Sequence, residues 1–286
     1  MSYFWSVLIS NSLFQKLAFT SRAAVTLALK ESFMEICQIL EINSLIEAGA
    51  HEASASIDFM QLGNPNKIAI AIESNPYTYS QKTVQAERYG VKTLNIGVGQ
   101  FHCEKELNIP LDLDTQDKSP LNASFLEKKD NQTEVEKVLV NIHSIDEIFR
   151  EEKLIPPLAL WIDVEGFSGD VLKGAVELFN ANSIRVIYVE LEDKELWSRQ
   201  TLDQEICSTL RDNGFELFMR DFEGRGQYNA IFCKTKDFPI VLHVKKSYLK
   251  KTSMRIFKDF QKFPIFVASR LKKNLRLGRS RTQLKG

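Results

Sequence analysis

The sequence predicts an α/β fold: a doubly wound, mostly parallel, seven-stranded Rossmann-like sheet that ends in an antiparallel strand pair. Three observations predict it. Short, continuously apolar runs recur through the middle of the chain, as strands covered on both faces do. Helix-like segments lie between them, and strand, helix, strand in repetition means a parallel sheet with right-handed crossovers. The last two apolar runs are joined only by the polar, glycine-containing stretch 221–227, a link short enough to favour antiparallel pairing.

In chain order, residues 1–43 read as an N-terminal helical extension. Phe4, Leu8, Leu13, Leu17, Ala24 and Leu27 follow helical spacing, and Phe33, Ile36 and Leu40 continue it. The core domain spans 44–240. Its strand candidates begin with Ser44 to Glu47, Ile68 to Glu73, Val91 to Ile96, Leu158 to Asp163 and Val186 to Glu190, and the closing pair is Phe215 to Arg220 and Tyr228 to Cys233. Helices are predicted over Tyr79 to Tyr89, Gly169 to Phe179 and Asp203 to Asn213, the last stopped by Gly214. Residues 101–137, with Pro110, Pro120 and many polar positions, read as an insertion between the third and fourth strands. Residues 241–286 form a basic amphipathic tail.

At 286 residues, 44% hydrophobic and 26% charged, the composition is that of a globular protein. Cys37, Cys103, Cys207 and Cys233 are scattered, with no CxxC pair and no matching histidine cluster, so neither a disulfide framework nor a zinc site is expected and a reducing, cytoplasmic setting fits. No apolar run reaches the roughly 18–20 residues of a membrane span, and no secretory leader is expected. The net charge of zero hides an asymmetry: from Lys245 onward there are 14 Lys/Arg against Asp259 alone, so an acidic body carries a basic tail.

Ligands of such sheets bind beyond the carboxyl ends of the strands, and here those ends carry acid or glycine. The first run leads into Glu47-Ala-Gly49-Ala50-His51-Glu52, where a glycine permits a tight turn close to a ligand; a plain turn is the alternative. The second ends in Glu73, followed by Ser74 and Asn75. A carboxylate there can accept from both hydroxyls of a ribose, the alternative being a solvated strand end. The stretch 49–54 supplies no GxGxxG turn for a pyrophosphate, which favours a nucleoside cofactor without phosphate over a nicotinamide dinucleotide. The fourth run continues as Asp163-Val-Glu165-Gly166-Phe167-Ser168-Gly169-Asp170-Val-Leu172-Lys173-Gly174-Ala175. Two acids at a strand end are expensive to bury without a purpose; an acid favoured at a helix start is the bland reading.

That stretch resembles the IDVEG-x-E-x-x-VLKGA signature of the FkbM family of methyltransferases. The resemblance runs in order from about residue 44 to 234. Glu47-Ala-Gly49-Ala50 is similar to the family's cofactor loop, Glu73-Ser74-Asn75-Pro76 to its E-P-N-P strand end, and Asn95-Ile-Gly97-Val98-Gly99 to its third strand. His143-Ser144-Ile145-Asp146 resembles its SID segment, and Tyr188-Val-Glu190 and Tyr228 to Phe232 its later strands. The chain departs from the family pattern at Glu47 and His51, at Ala53 where a second glycine is usual, and at Ser168 where a second acid is usual.

The resemblance implies a class I methyltransferase fold and S-adenosylmethionine as cofactor. Glu47, Gly49, Ala50 and His51 would serve its methionine end, Glu73, Ser74 and Asn75 its ribose, Gly97 and Val98 its adenine, and Asp163 the edge facing the acceptor. It implies O-methylation of a hydroxyl-bearing small molecule, a sugar or a glycan. Methyl transfer needs acceptor alignment and removal of a proton, for which Asp163, Glu165, His51 and His143 are candidates, His143 with Asp146 to orient it. A structural histidine is the alternative there. A magnesium ion gathered by Asp163, Glu165 and Glu190 is a minor alternative, and no residue is assigned as a metal ligand. In the tail, Phe257, Phe260 and Phe263 recur beside lysines, so residues 245–276 suggest peripheral contact with an anionic membrane, with docking on the acidic body as the alternative and nucleic acid less favoured. The competing functional reading is a catalytically degenerate binding protein, suggested by Ala53.

Overall fold

The computed structural model describes residues 22–63, 65–111, 122–129, 134–221 and 226–253. The positions Phe4 to Leu17, the triplet Phe257, Phe260 and Phe263, and the rest of the tail lie outside them.

The described strands are β1 (Ser44–Ala48), β2 (Ile68–Ile72), β3 (Lys92–Leu94), β4 (Gly97–Gly99), β5 (Cys103–Pro110), β6 (Val135–Ser144), β7 (Leu158–Ile162), β8 (Ile184–Glu192), β9 (Phe215–Arg220) and β10 (Gln227–Lys234). Seven of them form the expected sheet in the order β3-β2-β1-β7-β8-β10-β9, in which β10 runs antiparallel to both neighbours and the remaining pairs are parallel.

Helices cover both faces: α1 (Arg22–Ile39), α2 (Ser54–Met60), α3 (Pro76–Gln81), α4 (Ile145–Glu151), α5 (Ser168–Lys173), α6 (Val176–Asn180), α7 (Asp203–Asp212) and α8 (238–253). The strands alternate between two cores, as a pleat of period two requires. Leu45, Ala159 and Trp161 face a core shared with α1 and α8, while Ile46, Leu160 and Ile162 face one shared with α4 to α7. Trp161 and Tyr188, opposite each other on β7 and β8, stack at 3.6 Å, and Phe33 of α1 meets both rings edge-on. No helix among the described residues is long and apolar enough to cross a membrane.

Three local expectations are corrected. The helix predicted from Tyr79 starts at Pro76, because Asn75 caps it by accepting from the N–H groups of Tyr77 and Thr78 and Pro76 suits the first turn; a 3₁₀ segment, Thr83–Tyr89, follows. The helix predicted over 169–179 is two helices. They break at Gly174, where α5 comes so near β4 that a Cβ would lie 2.2 Å from the Gly99 carbonyl oxygen. The segment 101–137 is no simple loop: β5 pairs antiparallel with β6 over eight residues, and with β4 they make a second sheet in the order β4-β6-β5. Leu107 and Ile109 point inward and Glu104 and Glu106 outward, an alternation of period two that the prolines and polar residues nearby obscured.

Helix α8 turns Val241, Val244 and Tyr248 into the first core and leaves Ile240 and Leu242 exposed. Its solvent face includes Lys246 and Lys250.

Candidate active site

Strand order reverses between β1 and β7: the chain winds outward from β1 to β3 and returns to start again at β7. A crevice beyond the carboxyl ends of these strands follows from that topology. A cavity of about 240 Å³ lies there, with Gly49, Glu73, Gly97, Val98, Asp163 and Glu190 in its walls.

The β1 end of the cavity is a tight turn. Gly49 stands at φ +80°, and its N–H and that of Ala50 both donate to the Ile72 carbonyl of β2 (3.0 and 2.9 Å). His51 and Ala53 are also left-handed, at φ 48° and 56°. Ala53 thus adopts a conformation that glycine takes freely, at a strain of about 1–2 kcal/mol. Its methyl is fully buried in the first core and not in the cavity wall, so the substitution leaves the ligand space open.

Glu73 is nearly buried, and its carboxylate joins two loops. One oxygen accepts from the Asn75 N–H (2.8 Å) and the other from the His51 N–H (2.9 Å). The Ser74 N–H also hydrogen-bonds this carboxylate, which still leaves acceptor capacity for a ligand hydroxyl. Burial pushes the Glu73 carboxyl above the usual range, the backbone donors oppose this, and the negative charge of Asp163 adds to the rise. The Asn95 side chain donates to the Glu73 carbonyl (2.8 Å), tying the β3–β4 junction to this edge.

Asp163 and Glu165 follow β7 into the cavity, and Glu190 reaches it from β8. Glu165 lies at φ 43°, and the next residue, Gly166, is covered by Trp197. The opposite wall comes from the segment misread as a loop: Leu107 of β5, and Ala123, Ser124 and Phe125. Ser124 Oγ donates to the Glu165 carbonyl (2.7 Å), and the Phe125 ring packs against Phe167 at 5.3 Å, so this wall is fastened to the strand that carries the acids. Sequence reasoning missed these residues; the short apolar run from Ala123 to Leu126 was the available signal.

Of the predicted residues, Gly49, His51, Glu73, Ser74, Gly97, Val98, Asp163 and Glu165 meet at the cavity. Asn75 and Ala50 are buried behind it, Asn75 as the cap of α3. Glu47 points away: its carboxylate accepts from the N–H groups of Ala55 and Ser56 at the start of α2. Ser168 is also outside, its hydroxyl donating to the Glu190 carbonyl (3.1 Å) and tying α5 to β8. His143 does not line the cavity, and Asp146 does not orient it: Asp146 accepts from the N–H groups of Glu177 and Leu178, while His143 stands by His102 and Glu151. The carboxylates of Asp163, Glu165 and Glu190 line one cavity but do not form a cluster of three metal-ligating groups among the described residues.

Burial pushes the Glu47 carboxyl up to about 7, against the donors from α2 that pull it down. The folded protein therefore holds a proton that the unfolded chain releases near 4.5. The stability linked to this proton is complete below pH 4.5 and is lost as pH rises through about 7. The expected loss is on the order of 2–3 kcal/mol, and Glu47→Gln should flatten that part of the profile. Denaturant unfolding of both proteins across this range checks it; parallel profiles would refute it.

The residues fit an adenosine cofactor bearing a positive charge. A carboxylate stands at the end of β2, Ile72, Ile96 and Val98 offer an apolar wall, and four carboxylates but no Lys or Arg line the space among the described residues. Four acids in the wall disfavour an anionic dinucleotide.

Strand order, a crevice at the switch point and an acid closing β2 define a class I, Rossmann-like methyltransferase architecture. The chain belongs to the FkbM methyltransferase family, whose domain, described as "Methyltransferase FkbM domain", matches residues 47–217. Among solved structures it is similar to the FkbM methyltransferase from Methylobacillus flagellatus KT, at 13% identity and a TM-score of 0.43, over 67% of this chain and 43% of that one. The chain thus spans less than half the length of that relative. It is also similar to an O-methyltransferase from Bacillus cereus in complex with SAH (12%, TM-score 0.40, 81% and 94% of the two chains). A third is the magnesium protoporphyrin IX methyltransferase of Synechocystis PCC 6803 with bound SAM (12%, TM-score 0.35, 74% and 76%). No curated protein matches the sequence.

Proposed function

We propose that the protein is an S-adenosylmethionine-dependent O-methyltransferase acting on a hydroxyl of a sugar or glycan-like molecule. The observation that carries the proposal is the chemistry of the cavity wall: carboxylates of Glu73, Asp163, Glu165 and Glu190 and the ring of Phe125, with no Lys or Arg among the described lining residues. Carboxylates accept from the vicinal hydroxyls of a sugar, an aromatic ring covers its C–H face, and four acids without a described Lys or Arg favour neutral acceptors over phosphates.

When bound, the cofactor supplies a methyl group on a positively charged sulfur. Glu73 then holds the ribose through the acceptor capacity that His51, Asn75 and Ser74 leave open. The acceptor hydroxyl is oriented by Asp163 and Glu165, with Asp163 taking its proton. Leu107 and Phe125 close the acceptor side and exclude water. The placement of Ala53 in the core favours this enzyme over the degenerate binding protein. Contact of the basic tail with an anionic membrane is part of the proposal, supported by the lysines on the outer face of α8; failure to sediment with anionic vesicles would remove it.

Calorimetry with S-adenosylmethionine and S-adenosylhomocysteine, with NAD as control, tests the cofactor. Micromolar binding of the first two is expected, weakened about 100-fold in Glu73→Ala through the loss of charge-assisted hydrogen bonds. Binding of NAD in their place would overturn the reading. With labelled cofactor, transfer to a panel of saccharides supports the acceptor class, and transfer confined to amines or carboxylates rejects it.

A further inference from the structure

We infer that His102, His143 and Glu147 form a binding site for a divalent transition-metal ion such as Zn²⁺, outside the cofactor cavity. The chain contains four histidines, and the fold brings two of them together from positions 41 residues apart in sequence. His102 sits in the turn between β4 and β5, His143 at the end of β6, and Glu147 in the first turn of α4. The two imidazole rings are 4.5 Å apart, and the ligating atoms of all three residues lie within 4.8 Å of one another.

The metal-free cluster is under-satisfied. His143 Nδ1 is buried and makes no hydrogen bond; Glu151 Oε2, at 3.6 Å, is too far to supply one. His102 Nδ1 and Glu147 Oε1 are 3.9 Å apart, again beyond a hydrogen bond. A metal ion would use all of these groups at once.

Glu147 is already positioned for such a role. Its Oε2 accepts from the Ser144 N–H (2.8 Å) and hydroxyl (3.0 Å) in a capping box, which leaves Oε1 turned toward the histidines. Metal bonds of about 2.0–2.1 Å would bring tetrahedral ligands to about 3.3–3.5 Å from one another, a modest closure. His102 is exposed and free to make it. Two imidazoles and one carboxylate suit zinc and its neighbours, whereas magnesium and calcium prefer oxygen alone. The fourth position falls to water or to Glu151. Bound there, the ion would clamp the β4–β5 turn to β6 and α4, and since Val98 of β4 pairs with His143 it would steady one wall of the cofactor cavity.

The test uses the full chain, free of any affinity tag and stripped with a chelator, titrated with Zn²⁺ by calorimetry and with Co²⁺ by absorption, with Mg²⁺ as control. One equivalent of Zn²⁺ should bind, raising Tm by about 5 °C at a hundredfold excess over Kd. Cobalt should give bands of nitrogen and oxygen ligation without thiolate charge transfer. His102→Ala, at an exposed position that leaves folding intact, should weaken Zn²⁺ binding at least about 30-fold, with His143→Asn as the second variant. Zinc binding no tighter than magnesium, unchanged affinity in both variants, or a thiolate spectrum would overturn the site. None of these outcomes depends on the cofactor or the acceptor.

Discussion

Replacing Gly49 by alanine is expected to destabilise the protein by about 4 kcal/mol or more and to abolish cofactor binding, the strain of a left-handed alanine adding to an overpacked contact. The added Cβ would stand 1.8 Å from the Asp163 carbonyl oxygen and 2.7 Å from its carbon. Those are backbone atoms at the end of β7, and they cannot swing aside as a side chain can. Nor can Gly49 retreat, since its N–H is bonded to Ile72 on the opposite neighbour. Gly90→Ala is the matched control. Gly90 has nearly the same φ, +79°, but its Cβ would meet only the terminal methyl of Met60, at 3.5 Å. It should cost only the conformational part, about 1–2 kcal/mol. Denaturant unfolding of the two variants separates the effects; equal losses would show that the close approach of β1 to β7 is not what demands glycine at position 49.

The same residues show why much of the fold was legible in the sequence. Strands buried on both faces must be apolar throughout, so β1, β2, β7 and β8 announce themselves, and their polar ends mark where the sheet meets a ligand. That Glu73, Gly49 and Asp163 line the cavity was readable for that reason. The second sheet was not. Its strands have one wet face, so Glu104 and Glu106 of β5 and Lys137 and Asn141 of β6 dilute the apolar signal. The pairing of β5 with β6 also joins segments separated by residues that carry no strand pattern, and no local signal records such a partner. The wall made by Leu107 and Phe125 was lost with it.

Side-chain direction was the other illegible quantity. Glu47 and Glu73 occupy equivalent places in the sequence, each near the end of an apolar run, yet one turns down onto α2 and the other up toward the cavity. Glu47 is the fourth residue of β1, still within the strand, whereas Glu73 lies one residue beyond β2, where the alternation of the pleat no longer fixes its direction. Asp146 likewise sits three residues from His143 but is claimed by the N–H groups of α6. Spacing alone cannot arbitrate between such competitors.

Asp163→Asn is expected to lower kcat by about 10³-fold while leaving cofactor affinity within a few-fold, the signature of a lost general base. The backbone of Asp163 is held independently of its side chain: its N–H donates to the Ala48 carbonyl (2.9 Å), and its own carbonyl abuts Gly49. An amide of the same shape should therefore leave the site assembled. Its effect on Glu73 has a definite sign. The negative charge of Asp163 is one of the influences that raise the Glu73 carboxyl, so its removal should leave Glu73 more readily ionised and its grip on the ribose no weaker. A role in binding would instead raise KM and spare kcat. If kcat falls less than about threefold in Asp163→Asn while Glu165→Gln loses about 10³-fold, the proton is taken by the neighbouring acid on the same strand end.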